Sequence, residues 1–259
     1  MIYINQKQKK ISDQYLNNGY VVHKIENNEK KLLDKMKEFF LLNIKKKLRK
    51  KIDRDFLNNI HKYVKVSDLN NFRLQMINSI NSSKIFRKNF YLISSNLLEN
   101  IVGNEIAMQM RISLSIQLPN DDSSLLPVHA DTWSGVSPYE VVIWLPMVDC
   151  YKTKSMYILP RKKFNKNKNL ILKNSLSSGE IFNKIKKDVV WLNVKYGEVL
   201  LFDQSLPHGN VINKEKSTRW SMNCRFKGIF TPYADKKIGE YYEPITLKPA
   251  SLRGLKFKY

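Results

Sequence analysis

The sequence predicts an α+β protein, mainly β, in which N-terminal helices precede an antiparallel β-barrel or double sheet. Apolar residues recur with helical spacing in the segment Asn28–Lys51. From about Glu105 the pattern changes to an alternation of apolar and polar residues, most clearly in Ile106–Leu118. With 259 residues, of which 42% are hydrophobic, the chain is long enough to bury one sizeable core.

The order of the predicted elements favours a single domain. Ahead of the β region the patterns predict a strand at Gly19–Lys24 and helices at Asn28–Lys51, Ser67–Ile80 and Asn89–Val102. Within the β region, further strands are predicted at Tyr139–Met147, Ser155–Leu159, Val189–Val194, Val199–Phe202 and Arg219–Ile229. The polar, lysine- and asparagine-rich segment Phe164–Lys187 is predicted to be an insertion between strands. We therefore expect one domain over 1–259, with a mainly helical part at 1–104, a β core at 105–230 and an extension at 231–259.

The charge of the chain is strongly positive, with a formal net charge of +22. A basic surface attracts anions such as nucleic acids or phosphorylated metabolites. Lysines outnumber arginines 36 to 9, however, which indicates a biased composition more than a phosphate-binding surface, where arginine forks are usual. If the charge has a function, we expect it to favour an anionic substrate.

Three features bear on the cellular setting and on membrane partners. Cys150 and Cys224 are too few for a disulfide framework, which predicts a reducing, cytoplasmic environment. We expect no secretory signal, because the first residues lead into a polar, charged segment. The longest apolar run, Val141–Met147, is too short to cross a bilayer, so no membrane partner is expected.

Two histidines and one carboxylate form a candidate metal site. His129 and Asp131 are two residues apart, which on a strand places both side chains on one face. His208 must come from a neighbouring strand, after the turn and apolar run Gly197–Asp203. Two imidazoles and one carboxylate that leave other coordination positions open are typical of non-haem Fe(II) oxygenases. A His-x-Asp pair alone is more often a surface or capping motif, so this interpretation depends on a third feature.

The third feature is the predicted strand that begins at Arg219, eleven residues after His208. On a strand, a buried row of polar groups would be costly without a charged or polar ligand. Arg219 can hold a carboxylate in a bidentate grip, and the Ser221 hydroxyl can add a further hydrogen bond. The alternative is an exposed edge strand with solvated arginines. The polar face comprises Arg219, Ser221, Asn223 and Arg225, and the opposite face comprises Trp220, Met222, Cys224 and Phe226.

These motifs resemble the Fe(II)/2-oxoglutarate-dependent dioxygenases, in particular their phytanoyl-CoA dioxygenase-like branch. The resemblance covers about half of the chain, from Gln109 to Phe230. The matching residues are His129-Ala130-Asp131, the lead-in and histidine at Gly197–His208, and Arg219-Trp220-Ser221.

Two other segments carry a weaker resemblance to that branch. Gly19–Val22 is similar to its opening strand, and Ser155–Pro160 is similar to its Gly-x-Leu-x-x-x-Pro-Gly-Ser-His segment. The second segment departs from the pattern, because Arg161–Lys163 stand where Gly-Ser-His is usual. The departure weakens the assignment to a named subfamily but touches no ligand position.

The resemblance implies a double-stranded β-helix, the jelly-roll or cupin-like fold, for the β core. It implies that His129, Asp131 and His208 bind Fe(II) and that Arg219, with Ser221, binds the C5 carboxylate of 2-oxoglutarate. With O2 as the oxidant, 2-oxoglutarate would be converted to succinate, and hydroxylation of a prime substrate is the default outcome. Asp131 argues against the halogenating variants, which lack this carboxylate.

Five further residues are predicted in the pocket on less specific signals. Trp144 lies on the predicted strand Tyr139–Met147, which follows the His129 segment, and a position in the hydrophobic core would suit it equally well. The co-substrate contacts are predicted to include Gln117 and Trp144, and the substrate contacts Arg111, Trp133 and Arg225.

Three functions compete at this point. The first is an oxygenase that acts on a small, anionic molecule, such as a carbohydrate or a nucleotide-linked sugar of a surface-polysaccharide pathway. The second is a nucleic-acid demethylase of the AlkB type, favoured by the net charge and by the Arg219–Arg225 spacing but not by the short gap from His208 to Arg219. The third is a β-sandwich that binds a ligand without iron, which requires all three ligand positions to be coincidental.

Overall fold

The computed structural model describes residues 5–49, 55–173 and 176–258, and these contain seven α-helices and ten β-strands. The helices are α1 (Gln6–Asn18), α2 (Asn27–Leu48), α3 (Val66–Asn81), α4 (Lys84–Ile101), α5 (Arg161–Lys173), α6 (Ser178–Ile185) and α7 (Pro249–Gly254). The strands are β1 (Tyr20–Lys24), β2 (Ile106–Gln109), β3 (Ser113–Gln117), β4 (Glu140–Pro146), β5 (Tyr157–Ile158), β6 (Val190–Trp191), β7 (Glu198–Asp203), β8 (His208–Gly209), β9 (Arg219–Gly228) and β10 (Tyr242–Pro244). The mixed α+β character is confirmed, but more residues lie in helices than in strands, so the expectation of a mainly β chain is corrected.

The strands form two antiparallel sheets. In the larger sheet the order is β1-β7-β4-β9-β2-β10, and β3 also pairs with β9. The smaller sheet has the order β6-β5-β8. Two antiparallel sheets agree with the predicted double sheet. The strand-by-strand order of a jelly roll stays a prediction.

The single strand predicted for Ile106–Leu118 is interrupted between β2 and β3. At the interruption, side chains from α3 and α4 take the backbone hydrogen bonds that a strand would make. The Asn81 amide receives a hydrogen bond from Ile112 N and donates one to Ile112 O, at 2.7 and 2.9 Å. Arg87 donates to the carbonyls of Gln109 and Met110. The alternation of apolar and polar residues predicts one long strand, because this pattern contains no information about contacts from helices elsewhere in the chain.

Helices α2, α3 and α4 cover one face of the larger sheet. The indole of Trp220 on β9 is fully buried between Phe40 of α2 and Phe72 of α3, with ring centroids 5.7 and 6.2 Å apart. Phe90 of α4 stacks on Phe226, also on β9. The predicted division of β9 into an apolar and a polar face is therefore confirmed: the apolar face packs on the helices, and the polar face lines a cavity.

The segment Phe164–Lys187 lies between strands β5 and β6, as predicted, and it contains helical structure that its composition does not predict. It holds most of α5 and all of α6, and a reciprocal cap between Ser177 and Glu180 begins α6. Ile171, Ile181 and Ile185 are buried and pack on the smaller sheet around Tyr157. With the partly buried Phe164 and Phe182, these isoleucines form the apolar side by which the two helices pack on the sheet.

Three other differences concern helix α1, helix α2 and the C-terminal extension. Helix α1 lies outside the predicted elements, although an Asn5–Gln8 capping box and Gly19 in a left-handed conformation delimit it. Helix α2 ends at Leu48, and Lys51, the predicted end, lies outside the described residues. In the C-terminal extension, β10 adds an edge strand to the larger sheet. Among the described residues, no helix combines the length and the apolar character that crossing a membrane requires.

Candidate metal centre and the adjoining cavity

A backbone bridge brings two of the three candidate metal ligands, His129 and His208, together. His129 and His208 form an antiparallel bridge in which each amide donates to the other residue's carbonyl, at 3.0 and 2.8 Å. Asp131 begins a short 3-10 turn, and its amide donates to Gln204 O at 2.9 Å. The pair His129 and Asp131 is therefore placed by a bridge and a turn, not by the continuous strand that the sequence predicts.

The side chains converge on one point. One potential ligand atom from each of His129, Asp131 and His208 lies within 4.8 Å of the other two. His129 Nε2 is 3.6 Å from Asp131 Oδ1, and the two imidazole centroids are 4.3 Å apart. Such separations suit three donors around one divalent cation, and this donor set suits Fe(II) with positions left open.

Hydrogen bonds fix which imidazole nitrogen faces that point. His129 Nδ1 lies 2.8 Å from Pro127 O, and His208 Nδ1 lies 2.9 Å from Leu206 O. A carbonyl only accepts, so each Nδ1 carries the proton and each Nε2 offers a lone pair. Burial lowers the pKa of His208 to about 4, which keeps the imidazole neutral and able to coordinate at pH 7.

Arg225 holds the carboxylate of Asp131 from behind. Its Nη2 and Nε donate to Asp131 Oδ2 at 2.7 and 3.3 Å, which leaves Oδ1 facing His129. Burial disfavours the carboxylate, but Arg225 and the two histidines outweigh burial, so the pKa of Asp131 lies below its usual value. The carboxylate is therefore charged at neutral pH.

Arg225 makes two further hydrogen bonds. Its Nε donates to Gln204 Oε1 at 3.0 Å, and its Nη1 donates to the Tyr241 hydroxyl at 2.8 Å. Gln204 is fully buried and donates to Ser137 O and to Glu140 Oε2, both at 3.0 Å. The sequence predicts Arg225 as a substrate contact, whereas the structure commits its guanidinium to a candidate metal ligand and to the neighbours of that ligand.

A cavity of about 480 Å³ opens in front of the three candidate ligands. Its wall comes from both sheets, from α3 and from the loop before His129. The polar face of β9 contributes Arg219, Ser221, Asn223 and Arg225, and apolar wall residues include Val142, Trp144, Met156 and Phe202. The loop and its surroundings contribute Arg73, Ser123, Ser124, Leu125, Leu126 and Asn210.

The guanidinium of Arg219 is buried in this cavity wall without a counter-charge. It is 2% exposed and donates to Ser115 Oγ at 2.8 Å and to Ser155 O at 3.3 Å. Its Nε has no partner, and no carboxylate of the described residues forms an ion pair with it. Burial lowers the pKa of Arg219 to about 10, so it stays a cation at neutral pH. The Ser221 hydroxyl beside it is also buried and unpartnered, so this part of the cavity offers donors to an anion.

The other predicted pocket residues occupy three different kinds of position. Trp144 lines the cavity and is 5% exposed. Gln117 is buried behind the wall, where its Nε2 donates to Val211 O at 2.7 Å and its Oε1 has no partner. Arg111 and Trp133 are exposed and do not line the cavity.

Several residues of the site carry no sequence signal that we used. Arg73 comes from α3, outside the segment in which the metal motif lies. Tyr241 approaches Arg225 only because β10 pairs with β2. Gln204 follows the apolar strand β7 directly, and its place four residues before His208 is the signal that could have indicated it.

Comparisons with known proteins identify the fold. No family model matches the chain, and no curated protein matches it. Among solved structures, the epimerase SnoN in complex with Fe3+, alpha-ketoglutarate and nogalamycin RO is 12% identical, with a TM-score of 0.56 over 93% of this chain and 96% of SnoN. The non-heme alpha-ketoglutarate-dependent carbocyclase SnoK from nogalamycin biosynthesis is 12% identical, with a TM-score of 0.55 over 94% of this chain and 97% of SnoK. HygX from Streptomyces hygroscopicus is 11% identical, with a TM-score of 0.53 over 89% of each chain.

The chain therefore has the fold of the non-haem iron, alpha-ketoglutarate-dependent enzymes. Its His-Asp-His cluster fits the facial triad of that class. The finer resemblance to the phytanoyl-CoA dioxygenase-like branch stays a prediction.

Proposed function

We propose that the protein is an Fe(II)- and 2-oxoglutarate-dependent oxygenase that acts on a small molecule. One observation carries the proposal: a single cavity contains both a convergent His-Asp-His cluster and a buried arginine without a counter-charge. The first feature suits a divalent cation, and the second suits a dicarboxylate. A β-sandwich that binds a ligand without iron would not need the His-Asp-His cluster.

The residues fit the cofactor and the co-substrate. His129, Asp131 and His208 would hold Fe(II) through two neutral imidazoles and one carboxylate, all of them deprotonated at the ligating atom. Arg219, with Ser221, would bind the distal carboxylate of 2-oxoglutarate, since the ligand supplies the acceptors that their buried donors lack. Iron bound there supplies the redox chemistry that couples O2 and 2-oxoglutarate to oxidation of a substrate.

The rest of the wall would orient the reactants and keep water away. Arg225 keeps one oxygen of Asp131 directed at the metal position. Trp144, Met156 and Phe202 are buried apolar side chains that line the cavity, so they limit water near the reacting atoms. These roles concern positioning and access, and they involve no covalent step on the protein.

The cavity supports a small, polar substrate. Its volume of about 480 Å³ lies in the range of small-molecule sites. Serine and asparagine side chains line it, among them Ser113 and Asn223, and these suit a hydroxyl-rich molecule. We propose a carbohydrate or a nucleotide-linked sugar, as in a surface-polysaccharide pathway. SnoN and SnoK belong to the biosynthesis of nogalamycin, which supports a small-molecule substrate here.

Two further proposals concern the whole chain. We propose that it forms one oxygenase domain, because a single hydrophobic cluster includes residues of α2, α3, α4 and the larger sheet. We also propose that it works in a reducing compartment. Cys150 and Cys224 are buried free thiols, which suits such a setting.

The test is turnover of 2-oxoglutarate. We expect the purified protein, supplied with Fe(II), O2 and 2-oxoglutarate, to form succinate, and to stop when the iron is chelated. A crystal grown without oxygen from Fe(II), 2-oxoglutarate and candidate sugar nucleotides would then identify the substrate. Absence of both iron binding and succinate formation would contradict the proposal. Demethylation of methylated single-stranded DNA, with steeply salt-dependent binding, would instead favour the AlkB-type alternative.

A further inference from the structure

A third arginine lines the cavity and has no role in holding iron or 2-oxoglutarate. Arg73 lies on α3, where it is half-buried, and its side chain reaches the wall that also contains His129. Its Nη2 donates to Asn70 Oδ1 at 2.8 Å, and its Nη1 donates to Ser124 Oγ at 3.4 Å. Both partners are neutral, so they orient the guanidinium without compensating its charge.

The charges of the cavity do not balance. Its described lining contains three arginines, Arg73, Arg219 and Arg225, and a single carboxylate, Asp131. Asp131 is already paired with Arg225, and no carboxylate of the described residues forms an ion pair with Arg73 or Arg219. A divalent cation adds two positive charges, and 2-oxoglutarate brings two negative ones, one of them to Arg219. The charge of Arg73 is left for another ligand.

Arg73 is held in place relative to the metal ligands. Its partner Ser124 lies in the loop before His129, and Asn210 ties that loop down. Asn210 accepts from Leu126 N at 2.6 Å and donates to Ser124 O at 3.2 Å. Since Asn210 is two residues after His208, the same short segment positions one candidate metal ligand and the loop on which Arg73 rests. Such a fixed arrangement suits recognition of a substrate group, because less side-chain entropy is lost on binding.

We infer that Arg73 binds an anionic group, a phosphate or a carboxylate, of the prime substrate. This inference rests on the proposed function and adds the substrate class to it. A planar fork with free N–H groups suits either oxyanion. The lining hydroxyls and amides then contact the uncharged part of the molecule. A phosphorylated or nucleotide-linked sugar and a sugar acid both have this chemistry.

The experiment observes Arg73 directly. The 15N-labelled protein is loaded with Zn(II), which is diamagnetic and inert to oxygen, and with saturating 2-oxoglutarate, which occupies Arg219. Sodium phosphate, sodium acetate and neutral glycerol are titrated in turn at constant ionic strength, while the arginine Nε–H signals are followed by NMR. The Arg73 signal is assigned from its loss in Arg73→Gln.

We expect the Arg73 signal to shift with phosphate or acetate and to saturate at a dissociation constant on the order of 1 mM, the scale of a few charge-assisted hydrogen bonds. Whichever anion binds more tightly indicates the group on the substrate. Glycerol should cause no saturable shift. Arg111 is the matched control, because it is exposed, lies outside the cavity and donates to Asn78 Oδ1 at 2.9 Å, much as Arg73 does to Asn70.

An Arg73 signal that does not move, or that moves in parallel with Arg111, would overturn the inference. The same holds if Arg73→Gln weakens the binding of phosphate and acetate, measured by calorimetry, no more than the control Arg111→Gln does. Calorimetry of Zn(II) and 2-oxoglutarate binding distinguishes a failure of the proposed function from a failure of the inference about Arg73. If neither binds, the proposed function fails and this inference falls with it. If both bind and the Arg73 signal is unmoved, only this inference fails.

Discussion

The two ends of the cavity differ in how their polar groups are satisfied. At the end that contains Asp131, the protein supplies the hydrogen bonds that orient the candidate metal ligands: Arg225 donates to Asp131, Gln204 and Tyr241. At the other end, Arg219 Nε and the Ser221 hydroxyl are buried and have no partner. The protein alone orients the ligating groups of the first end, whereas the second end keeps buried donors that only a ligand can satisfy.

The difference has a physical explanation in the ligands that each end would bind. A metal binds donors that are deprotonated and already held at fixed separations. The entropy lost in ordering these side chains is part of the free energy of folding. A co-substrate loses its hydrogen bonds to water when it enters the cavity. Buried donors that have no protein partner can replace those hydrogen bonds. The stability of the first end should therefore come from the protein, and that of the second from 2-oxoglutarate.

The largest effect is expected from removing a metal ligand. His208→Ala should abolish both Fe(II) binding and succinate formation, because two remaining donors do not make a facial triad. Circular dichroism should show an intact fold, and metal analysis with a succinate assay measures the loss. His23→Ala is the control, since His23 lies on β1 and does not line the cavity. Full turnover by His208→Ala would refute the ligand assignment.

The next effect concerns the end that contains Arg219. Arg219→Met should raise the Michaelis constant for 2-oxoglutarate about 10- to 100-fold, as expected for a lost charge-assisted contact of about 1.5–3 kcal/mol. Without ligand, the same variant should melt at an equal or higher temperature, because an uncompensated buried charge is replaced by an apolar chain. Thermal melting with and without 2-oxoglutarate measures both effects. An unchanged Michaelis constant would assign the carboxylate to another residue.

At the end that contains Asp131, the opposite sign is expected for stability. Arg225→Met should weaken Fe(II) binding by about 10- to 100-fold, the usual effect of losing a residue that orients a ligand. It should also lower the melting temperature, because Asp131 is left buried without its cation. Tyr241→Phe removes one hydrogen bond to Arg225 and should have a smaller effect, about 0.5–1.5 kcal/mol. If Arg225→Met melted like Arg219→Met, the contrast between the two ends would be lost.

The smallest effect compares two buried serines. Ser221 is 1% exposed and its hydroxyl has no partner, whereas Ser137 is 2% exposed and donates to Pro232 O at 2.7 Å. Ser221→Ala should leave the free energy of unfolding within about 0.5 kcal/mol and raise the Michaelis constant for 2-oxoglutarate a few-fold. Ser137→Ala should cost about 0.5–1.5 kcal/mol. Denaturant unfolding of both variants measures these free energies of unfolding. Equal losses in the two variants would contradict the interpretation that the Ser221 hydroxyl has a hydrogen-bond partner only when a ligand is bound.

The sequence predicts the site better where the signal is local. The alternation in β9 places Arg219 and Ser221 on one face because a strand has a period of two, and the cavity confirms that face. The long strand predicted over Ile106–Leu118 is wrong because Asn81 and Arg87, on two helices, take over its backbone hydrogen bonds. Composition correctly places Phe164–Lys187 between two strands but does not predict its helices, whose buried isoleucines pack on the smaller sheet.

By itself, then, the sequence determined the set of donor types, the spacing of His129 and Asp131, and the polar face of β9, since each depends on neighbours along the chain. Only the tertiary structure decided that His208 lies opposite His129, that Arg225 supports Asp131, and that Arg73 of α3 reaches the same cavity. The physical reason is that these contacts join elements far apart in the chain. Their formation depends on how the sheets and helices pack, which no local pattern records.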